Sequence, residues 1–265
     1  MLADAGLALR SAGDRVLTAR LGDDFEALFV RAQDIPEFVA DGAADAGVTG
    51  WDLVAESGRE LHSLLDLGFG ACRVVVAVRE ESPVTSIEGL SPGARVATVF
   101  PGITRRYFSE RSIPIELVPM SGAVEVAPHL GIADVVVDIT STGSTLKTNG
   151  LREVATVMRS TAHVVARPGG SGPRELSELV AALESVLRAR GKRYLMANVP
   201  RRALDQVREI VPGLNGPTVI DIMDGGVFVA VHAVVPAAAI YKTIAALKSL
   251  GAEGILVTRI ERLMP

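Results

Sequence analysis

The sequence predicts an α/β protein of more than one lobe, followed by a small α+β domain of β-α-β-β-α-β order. Three observations carry this expectation. Of the 265 residues 48% are hydrophobic and only 22% charged, enough apolar surface for packed cores and too little charge for an extended disordered chain. Short β-branched runs alternate with amphipathic stretches as far as Gly191, the pattern of strands covered by helices. Beyond Gly191 the alternation changes to two helices enclosing a strand pair joined by a tight turn.

Taken in order, Leu2, Leu7 and Leu9 lie in a small-residue stretch that reads as a helix ending at Gly13. Glu26 to Arg31 is a short apolar strand. Asp34 then stands at the cap of a helix with Pro36 near its start and Ile35, Phe38 and Val39 on one face. Ala46 to Thr49 is a buried strand, and Trp51-Asp52-Leu53-Val54 opens the next helix. Arg73 to Val78 is nearly continuous in β-branched residues, as expected of a central strand covered on both faces. Arg95 to Val99 is a strand, Pro101-Gly102 a turn, and Arg105 to Glu110 a helix. Strand Ile115 to Pro119, helix Ala123 to Leu130, and strands Asp134 to Ile139 and His163 to Ala166 continue the series. Pro168 to Pro173 is a glycine-rich connector before a helix whose Leu179, Leu183, Val186 and Leu187 share a face.

The last 75 or so residues read as strand Arg193 to Asn198, helix Pro200 to Val211, and strands Thr218 to Met223 and Val227 to Val234 across Asp224-Gly225-Gly226. Helix Pro236 to Leu250 and strand Gly254 to Arg259 complete a ferredoxin-like order, so residues 191–265 are expected to fold as a separate domain.

Charge and composition narrow the function. With 27 Lys and Arg against 31 Asp and Glu the net charge is −4, which advertises neither a nucleic-acid stripe nor a membrane-binding surface. No segment approaches the roughly 20 uninterrupted apolar residues of a spanning helix. A single cysteine, Cys72, excludes an internal disulfide framework and a multi-cysteine metal site, and favours a reducing compartment. Met1 to Arg20 lacks the basic start and long apolar core of a secretory signal, so a cytoplasmic location is expected. His62, His129, His163 and His232 are scattered, without zinc-site spacing, and read as structural.

The most informative segment is Asp134-Val-Val-Val-Asp-Ile-Thr-Ser-Thr-Gly-Ser-Thr-Leu-Lys147. A buried strand ends near an acid and then delivers Thr140, Ser141, Thr142, Gly143, Ser144 and Thr145 just ahead of a helix. Hydroxyls and unpaired amides converging at a helix start can wrap a phosphate, and Gly143 permits close approach. Asp138 would then meet an attached sugar or a magnesium ion. The same residues would also serve as an ordinary Ser/Thr-capped loop, and taken alone the two readings stand near parity.

What surrounds this loop decides between them. From Glu125 through Gly131, Ala133, Val136, Asp138 and Thr142-Gly143 to Thr145-Leu146, the spacing resembles the signature of the ATP phosphoribosyltransferases. The resemblance extends to Phe29-Val-Arg-Ala-Gln-Asp-Ile35, Gly42 to Leu53, Leu67-Gly-Phe-Gly70, Tyr194-Leu-Met196, Pro212-Gly-Leu214 and Pro217-Thr218, and so covers nearly the whole chain. The trailing domain is similar to that of the long-form members, which sense histidine through it and work without a separate regulatory subunit.

The resemblance implies a two-lobed core like that of periplasmic binding proteins, with lobe I at 1–72 and 167–190 and lobe II at 73–166. A ferredoxin-like (ACT-like) histidine-binding domain would follow at 191–265. It implies the first step of histidine biosynthesis, in which N1 of ATP displaces pyrophosphate from C1 of phosphoribosyl pyrophosphate (PRPP), with Mg²⁺ as cofactor and histidine as feedback inhibitor. By matching position, residues 140–145 would cradle the 5-phosphate, Asp138 and Glu125 would face the ribose and metal, and Arg31 the pyrophosphate. Asp52, Leu53 and Phe100 would line the adenine end. Asn198, Leu214, Gly216, Thr218, Val234 and Gly254 would sit near the effector. Each has a plainer reading: Arg31 as a surface ion pair, Glu125 and Asp52 as first-turn acids, Phe100 as core. Family members commonly carry an acid at the position of Asn198, so weaker or altered histidine inhibition is expected. The resemblance further implies dimers assembling into hexamers.

Relatives also begin with a strand and a Leu-Pro-x-Lys-Gly-Arg-Leu loop that would precede Met1 here. A start assigned too late is the favoured explanation, ahead of a truncation or a degenerate member. A non-catalytic bilobed ligand-binding or regulatory homologue is the alternative functional reading.

Overall fold

The computed structural model describes residues 1–10, 17–169, 173–223 and 225–264. They form two compact units. One takes the described residues of Met1–Asp14, Ala19–Glu26 and Ala181–Pro265, and the other those of Arg15–Thr18 and Ala27–Val180. Grouping the amino terminus with the last domain was not foreshadowed by the sequence.

In chain order the elements open with β1 (Leu9–Arg10), β2 (Thr18–Leu21), β3 (Phe25–Leu28), α1 (Ile35–Ala40), β4 (Ala46–Gly50), α2 (Trp51–Ser57) and β5 (His62–Asp66). Next come β6 (Cys72–Arg79), β7 (Ala94–Thr98), α3 (Pro101–Ser109), β8 (Ile115–Pro119), β9 (Val135–Thr140), α4 (Ser144–Thr148), β10 (Leu151–Ser160) and β11 (Ala162–Ala166). The series ends with α5 (Arg174–Ala189), β12 (Lys192–Pro200), α6 (Leu204–Ile210), β13 (Thr218–Asp221), β14 (Phe228–Pro236), α7 (Ile240–Ser249) and β15 (Glu253–Arg259).

The unit containing 27–180 holds two sheets. The larger has the order β10-β6-β9-β7-β8, with β7 parallel to β8 and β9, and β6 antiparallel to both its neighbours. The expected burial of residues 74–78 on both faces is seen. Val74, Val76 and Val78 pack with Val96, Ile103 and Phe108, while Val75 and Ala77 face Val124, Val136 and Leu146. Full burial of one such valine is worth roughly 1.5–3 kcal/mol, which is why the run reads as unbroken β-branched sequence. The smaller sheet, β4-β11-β5, is antiparallel. Its β4 is an edge strand, so Val48 is half exposed and the strand is less buried than its composition suggested. Gly47 lets α1 close down on β4, since a Cβ there would lie 2.4 Å from Ile35 Cγ2.

Several elements differ from the sequence reading. Residues 1–6 form successive turns, closed by Ala5 N–H to the Met1 carbonyl and Gly6 N–H to that of Ala3, with Gly6 at φ 82°. So short a stretch does not repay helix nucleation, and the left-handed glycine ends it. Gly13 lies outside the described residues. Over 123–130 only a 3-10 turn forms, at Val124–Val126, because Pro128 lacks the amide a helix would need and Ala123 is left-handed at φ 52°. Phe29 to Arg31 leave the sheet after β3. Asp34 stands at the N-cap of α1 without a side-chain cap. In α5 the buried apolar positions are Leu176, Leu183, Val186 and Ala189, with Ser185 buried among them. Gly170 to Gly172 of the connector and Asp224 of the hairpin turn lie outside the described residues. Strands β5 and β10 were not foreseen. Two register shifts in β10, at 153/155 and 156/158, break the period-two pattern that would have revealed it.

The last domain has the ferredoxin-like sheet β13-β14-β12-β15, every pairing antiparallel. Leu195, Ala197, Val199, Val229, Val231, Ala233 and Val235 line one face against Val207, Val211 and Leu247 of the helical layer. Among the described residues no helix is long and apolar enough to cross a membrane.

Candidate functional site

The hydroxyl loop leaves the end of β9 at the carboxyl edge of the larger sheet. Thr140 is buried, and its Oγ1 accepts the Gly143 N–H at 2.8 Å, folding the loop back on itself. Gly143 at φ 80° reverses the chain, a conformation glycine adopts without strain, and α4 follows as a five-residue helix. Thr142 Oγ1 and Ser144 Oγ lie 2.8 Å apart, and Ser144 N–H donates to Thr142 Oγ1 at 3.3 Å. Ser141 and Thr145 are exposed, and their hydroxyls hydrogen-bond to nothing among the described residues. The loop therefore divides its labour: Thr140, Thr142 and Ser144 shape it, and Ser141 and Thr145 face outward.

Asp138 sits half-buried two residues before the loop. Burial pushes its carboxyl above the usual range, the Ile139 N–H donating to Oδ1 at 2.8 Å opposes this, and the neighbouring Glu125 carboxylate pushes it further up. Two expected site acids, one from the 3-10 turn and one from β9, are thus brought together.

Asp52 is 5% exposed and faces inward. Ser160 Oγ donates to its Oδ1 at 2.6 Å and accepts its N–H at 2.9 Å. Gly50 is required beside it, because a Cβ there would fall 2.3 Å from Asp52 Oδ1. Leu53 and Phe100 pack in the core of the larger sheet with Ile103 and Phe108. Glu56 joins α2 to α3: Gly102 N–H donates to Oε1 and Ile103 N–H to Oε2, each at 2.8 Å, so its carboxylate caps the helix that Pro101 starts. The predicted turn at Pro101-Gly102 is therefore the first turn of α3. Arg31 is exposed in the segment leading to α1 and is not drawn to Asp138.

Beside the hydroxyl loop lies a cleft of about 490 Å³, lined by Asp66, Ala71, Cys72, Arg73, Ser141, Arg159, Ser160, Thr161 and His163; Asp138, Glu125, Arg31, Asp52, Leu53 and Phe100 are not in its wall. It joins the hydroxyl loop, through Ser141, to Asp52, through Ser160. Apart from Ser141 its lining was not anticipated. It comes from strand ends whose adjacency depends on pairing distant in sequence, and on β5 and β10, so no local motif marks it. His163 is hydrogen-bonded from both ring nitrogens, to Ser63 Oγ at 2.7 Å and Thr161 Oγ1 at 3.1 Å, and packs on Trp51. Thr161 Oγ1 in turn donates to Asp66 Oδ1 at 2.8 Å. The Gly68 N–H, and then this hydroxyl, hold Asp66 below the usual carboxylate range. Cys72 is only partly buried; desolvation first, and Asp52 second, push its thiol up. Among the described residues no three His, Cys, Asp or Glu side chains gather as a metal site.

In the last domain, register places Asn198, Thr218 and Val234 on the sheet face opposite the helical core, in three neighbouring strands. Gly254, at φ 57°, lies against Asn198, whose Nδ2 would be 3.5 Å from a Cβ there. Leu214 and Gly216 belong to the loop before β13, closed by a bridge between Gly213 and Gly216. A separate cavity of about 520 Å³, lined by Pro200, Arg201, Arg202, Val227 and Phe228, includes none of these residues.

Residues 31–185 match the ATP phosphoribosyltransferase family, and residues 189–262 match its C-terminal domain. The chain is 67% identical to the ATP phosphoribosyltransferase of Gemmatimonas aurantiaca, over 99% of this chain and 93% of that one. It is 46% identical to the ATP phosphoribosyltransferase of Halorubrum lacusprofundi, covering 100% and 94% respectively. Among solved structures, the ATP phosphoribosyl transferase (HisG:HisZ) complex from Thermotoga maritima aligns with a TM-score of 0.62 at 28% identity, over 71% of this chain and 90% of that chain. With an α/β core built on two sheets, a ferredoxin-like last domain, and family matches that run almost end to end, this chain belongs to the ATP phosphoribosyltransferase family.

Proposed function

We propose that this chain joins N1 of ATP to C1 of PRPP, releasing pyrophosphate and giving N1-(5-phosphoribosyl)-ATP, the first step of histidine biosynthesis. The observation that carries this reading is the hydroxyl loop 140–145 set directly after Asp138, which shares its surroundings with Glu125, at the rim of the cleft. The outward hydroxyls of Ser141 and Thr145, with Gly143 giving close backbone approach, bind the 5-phosphate. Thr140, Thr142 and Ser144 hold the loop in the shape that presents them.

Displacement at an anomeric carbon develops positive character on the sugar while negative charge gathers on the departing pyrophosphate. Orientation and placed charge therefore suffice, without a nucleophilic side chain. Asp138 and Glu125 face the ribose. Two hard carboxylate donors without a third suit Mg²⁺, which takes one or two protein carboxylates and completes its shell with phosphate oxygens and water. When bound, the ion offsets charge on the pyrophosphate. Arg31 faces the same pyrophosphate from the approach to α1. Asp52 lies toward the adenine end, held by Ser160, with Leu53 and Phe100 as the apolar wall behind it.

The last domain binds histidine through Asn198, Leu214, Gly216, Thr218, Val234 and Gly254 and inhibits the catalytic lobes. The active form is a homo-oligomer, dimer to hexamer, in the cytoplasm. The lobes run over 1–72 with 167–190 and over 73–166, and the regulatory domain over 191–265.

The deciding experiment incubates the chain with ATP, PRPP, Mg²⁺ and pyrophosphatase and follows the product by chromatography and mass spectrometry. PRPP-dependent formation of N1-(5-phosphoribosyl)-ATP, nearly abolished in Asp138→Ala and Thr145→Ala, is expected. Tight binding of both substrates with no product would overturn the reading.

A further inference from the structure

Register places Arg159 of β10 directly opposite Arg73 of β6, and Arg73 directly opposite Thr140 of β9. Residues paired this way share a sheet face with Cα atoms about 4.5–5.5 Å apart, and like charges so placed repel. This face is the one that carries Asp138, which pairs with Val75 two residues along the ladder. Arg73 is partly compensated, its Nη1 donating to Glu153 Oε1 at 2.7 Å, while Glu153 also accepts from Thr156 Oγ1 at 2.8 Å. Arg159 is exposed and has no hydrogen-bond or ion-pair partner among the described residues. Both arginines line the cleft, along with Ser141 of the phosphate loop. The one carboxylate on the cleft wall, Asp66, already accepts from Gly68 N–H and Thr161 Oγ1.

Two arginines at paired backbone positions in the cleft wall beside the hydroxyl loop, one with all its donors unspent, match a polyphosphate better than any neutral ligand, because the forked donors engage phosphate oxygens in pairs. Resting on the proposed reaction, we infer that Arg159, seconded by Arg73, binds the pyrophosphate group of PRPP and of the product pyrophosphate. Arg73 lies one strand and Arg159 two strands from Thr140, and both share the cleft wall with Ser141, which ties the pair to the ribose phosphate rather than to the triphosphate of ATP.

The test uses the full chain and Arg159→Gln, with Arg159→Lys as the conservative variant. It measures inorganic pyrophosphate binding by calorimetry, KM for PRPP and for ATP separately, and thermal melting. Loss of a charge-assisted contact should weaken pyrophosphate binding and raise KM for PRPP roughly ten- to hundredfold in Arg159→Gln. KM for ATP should change little, Arg159→Lys should recover part of the loss, and Tm should hold or rise because a like-charge contact is relieved. Unchanged pyrophosphate and PRPP binding in a variant whose parent binds both would overturn this assignment alone, as would an effect confined to ATP. A parent chain that binds neither PRPP nor pyrophosphate would instead sink the proposed reaction.

Discussion

Ser160 and Asp52, 108 residues apart, satisfy each other twice: the serine hydroxyl donates to the aspartate Oδ1 at 2.6 Å and accepts the aspartate N–H at 2.9 Å. Both residues are buried. The pair fastens the start of α2 to the end of β10. Removing the hydroxyl leaves a buried carboxylate oxygen and a buried amide short of a partner, each worth about 1–3 kcal/mol. Ser160→Ala should lower the denaturant midpoint by a corresponding amount at unchanged m-value. An unaltered midpoint would show that the pair contributes nothing.

Gly50→Ala should be destabilising by about 1–3 kcal/mol through crowding rather than backbone strain, because Gly50 has φ −68° and the new methyl would meet Asp52 Oδ1. The signature is non-additivity. In an Asp52→Ala background the same substitution should cost clearly less, and a double-mutant cycle with strictly additive energies refutes the cause given.

The cap on α3 comes from another helix, with the Glu56 carboxylate bridging the Gly102 and Ile103 amides. Glu56→Gln keeps one acceptor and loses the charge that favours a helix N-terminus, so a loss of roughly 1 kcal/mol is expected. Thermal melts at low and high salt should show the gap between parent and variant narrowing as salt rises.

Asp138 carries a carboxyl raised by burial, so its charged form is disfavoured in the fold relative to the unfolded chain. The sign follows from linkage. The acid's favourable contribution is complete below its unfolded value and is lost as pH rises through the higher folded value. Asp138→Asn should therefore melt higher than the parent at neutral pH, with the difference shrinking on acidification toward the ordinary aspartate range. A variant that melts lower at neutral pH would mean that the charged carboxylate is stabilised by partners not identified here.

If the face bearing Asn198, Thr218 and Val234 takes histidine, restoring an acid at 198 supplies a charge partner for the ligand's ammonium or imidazole. Asn198→Asp should lower the histidine concentration for half inhibition roughly tenfold or more. Identical inhibition curves for the two proteins would remove Asn198 from the effector site.

The sequence carried most of the architecture where a single physical rule dominates. A strand buried on both faces must be apolar at every position, so β6 was readable from Arg73 to Val78. The ferredoxin-like order was readable because its six elements are short, evenly spaced and punctuated by glycine. Legibility failed where tertiary context overrules local preference. The bulges of β10 scramble its alternation, and β5, with His62, Ser63 and Asp66 among five residues, resembles a loop. Pro128 was visible in the predicted helix and should have ended it. The site divides in the same way. The Asp138 and Thr140 to Thr145 segment is contiguous and was found, whereas Arg73 meets Arg159, Thr161 and His163 only because β6, from a distant segment, begins beside the end of β10.

Between β10 and β11 stands one residue, Thr161, and those two strands belong to different sheets. The return path, from β5 to β6, is five residues long and includes Gly68 and Gly70, both at positive φ. The two crossings are laced together: Leu67 N–H donates to the Ala162 carbonyl and Ala162 N–H to that of Phe69, each at 2.9 Å, while the Thr161 carbonyl accepts from the Trp51 amide at 3.0 Å. The sheets are therefore joined at the cleft wall by one short knot of bonded backbone, which any turning of one sheet against the other would have to strain.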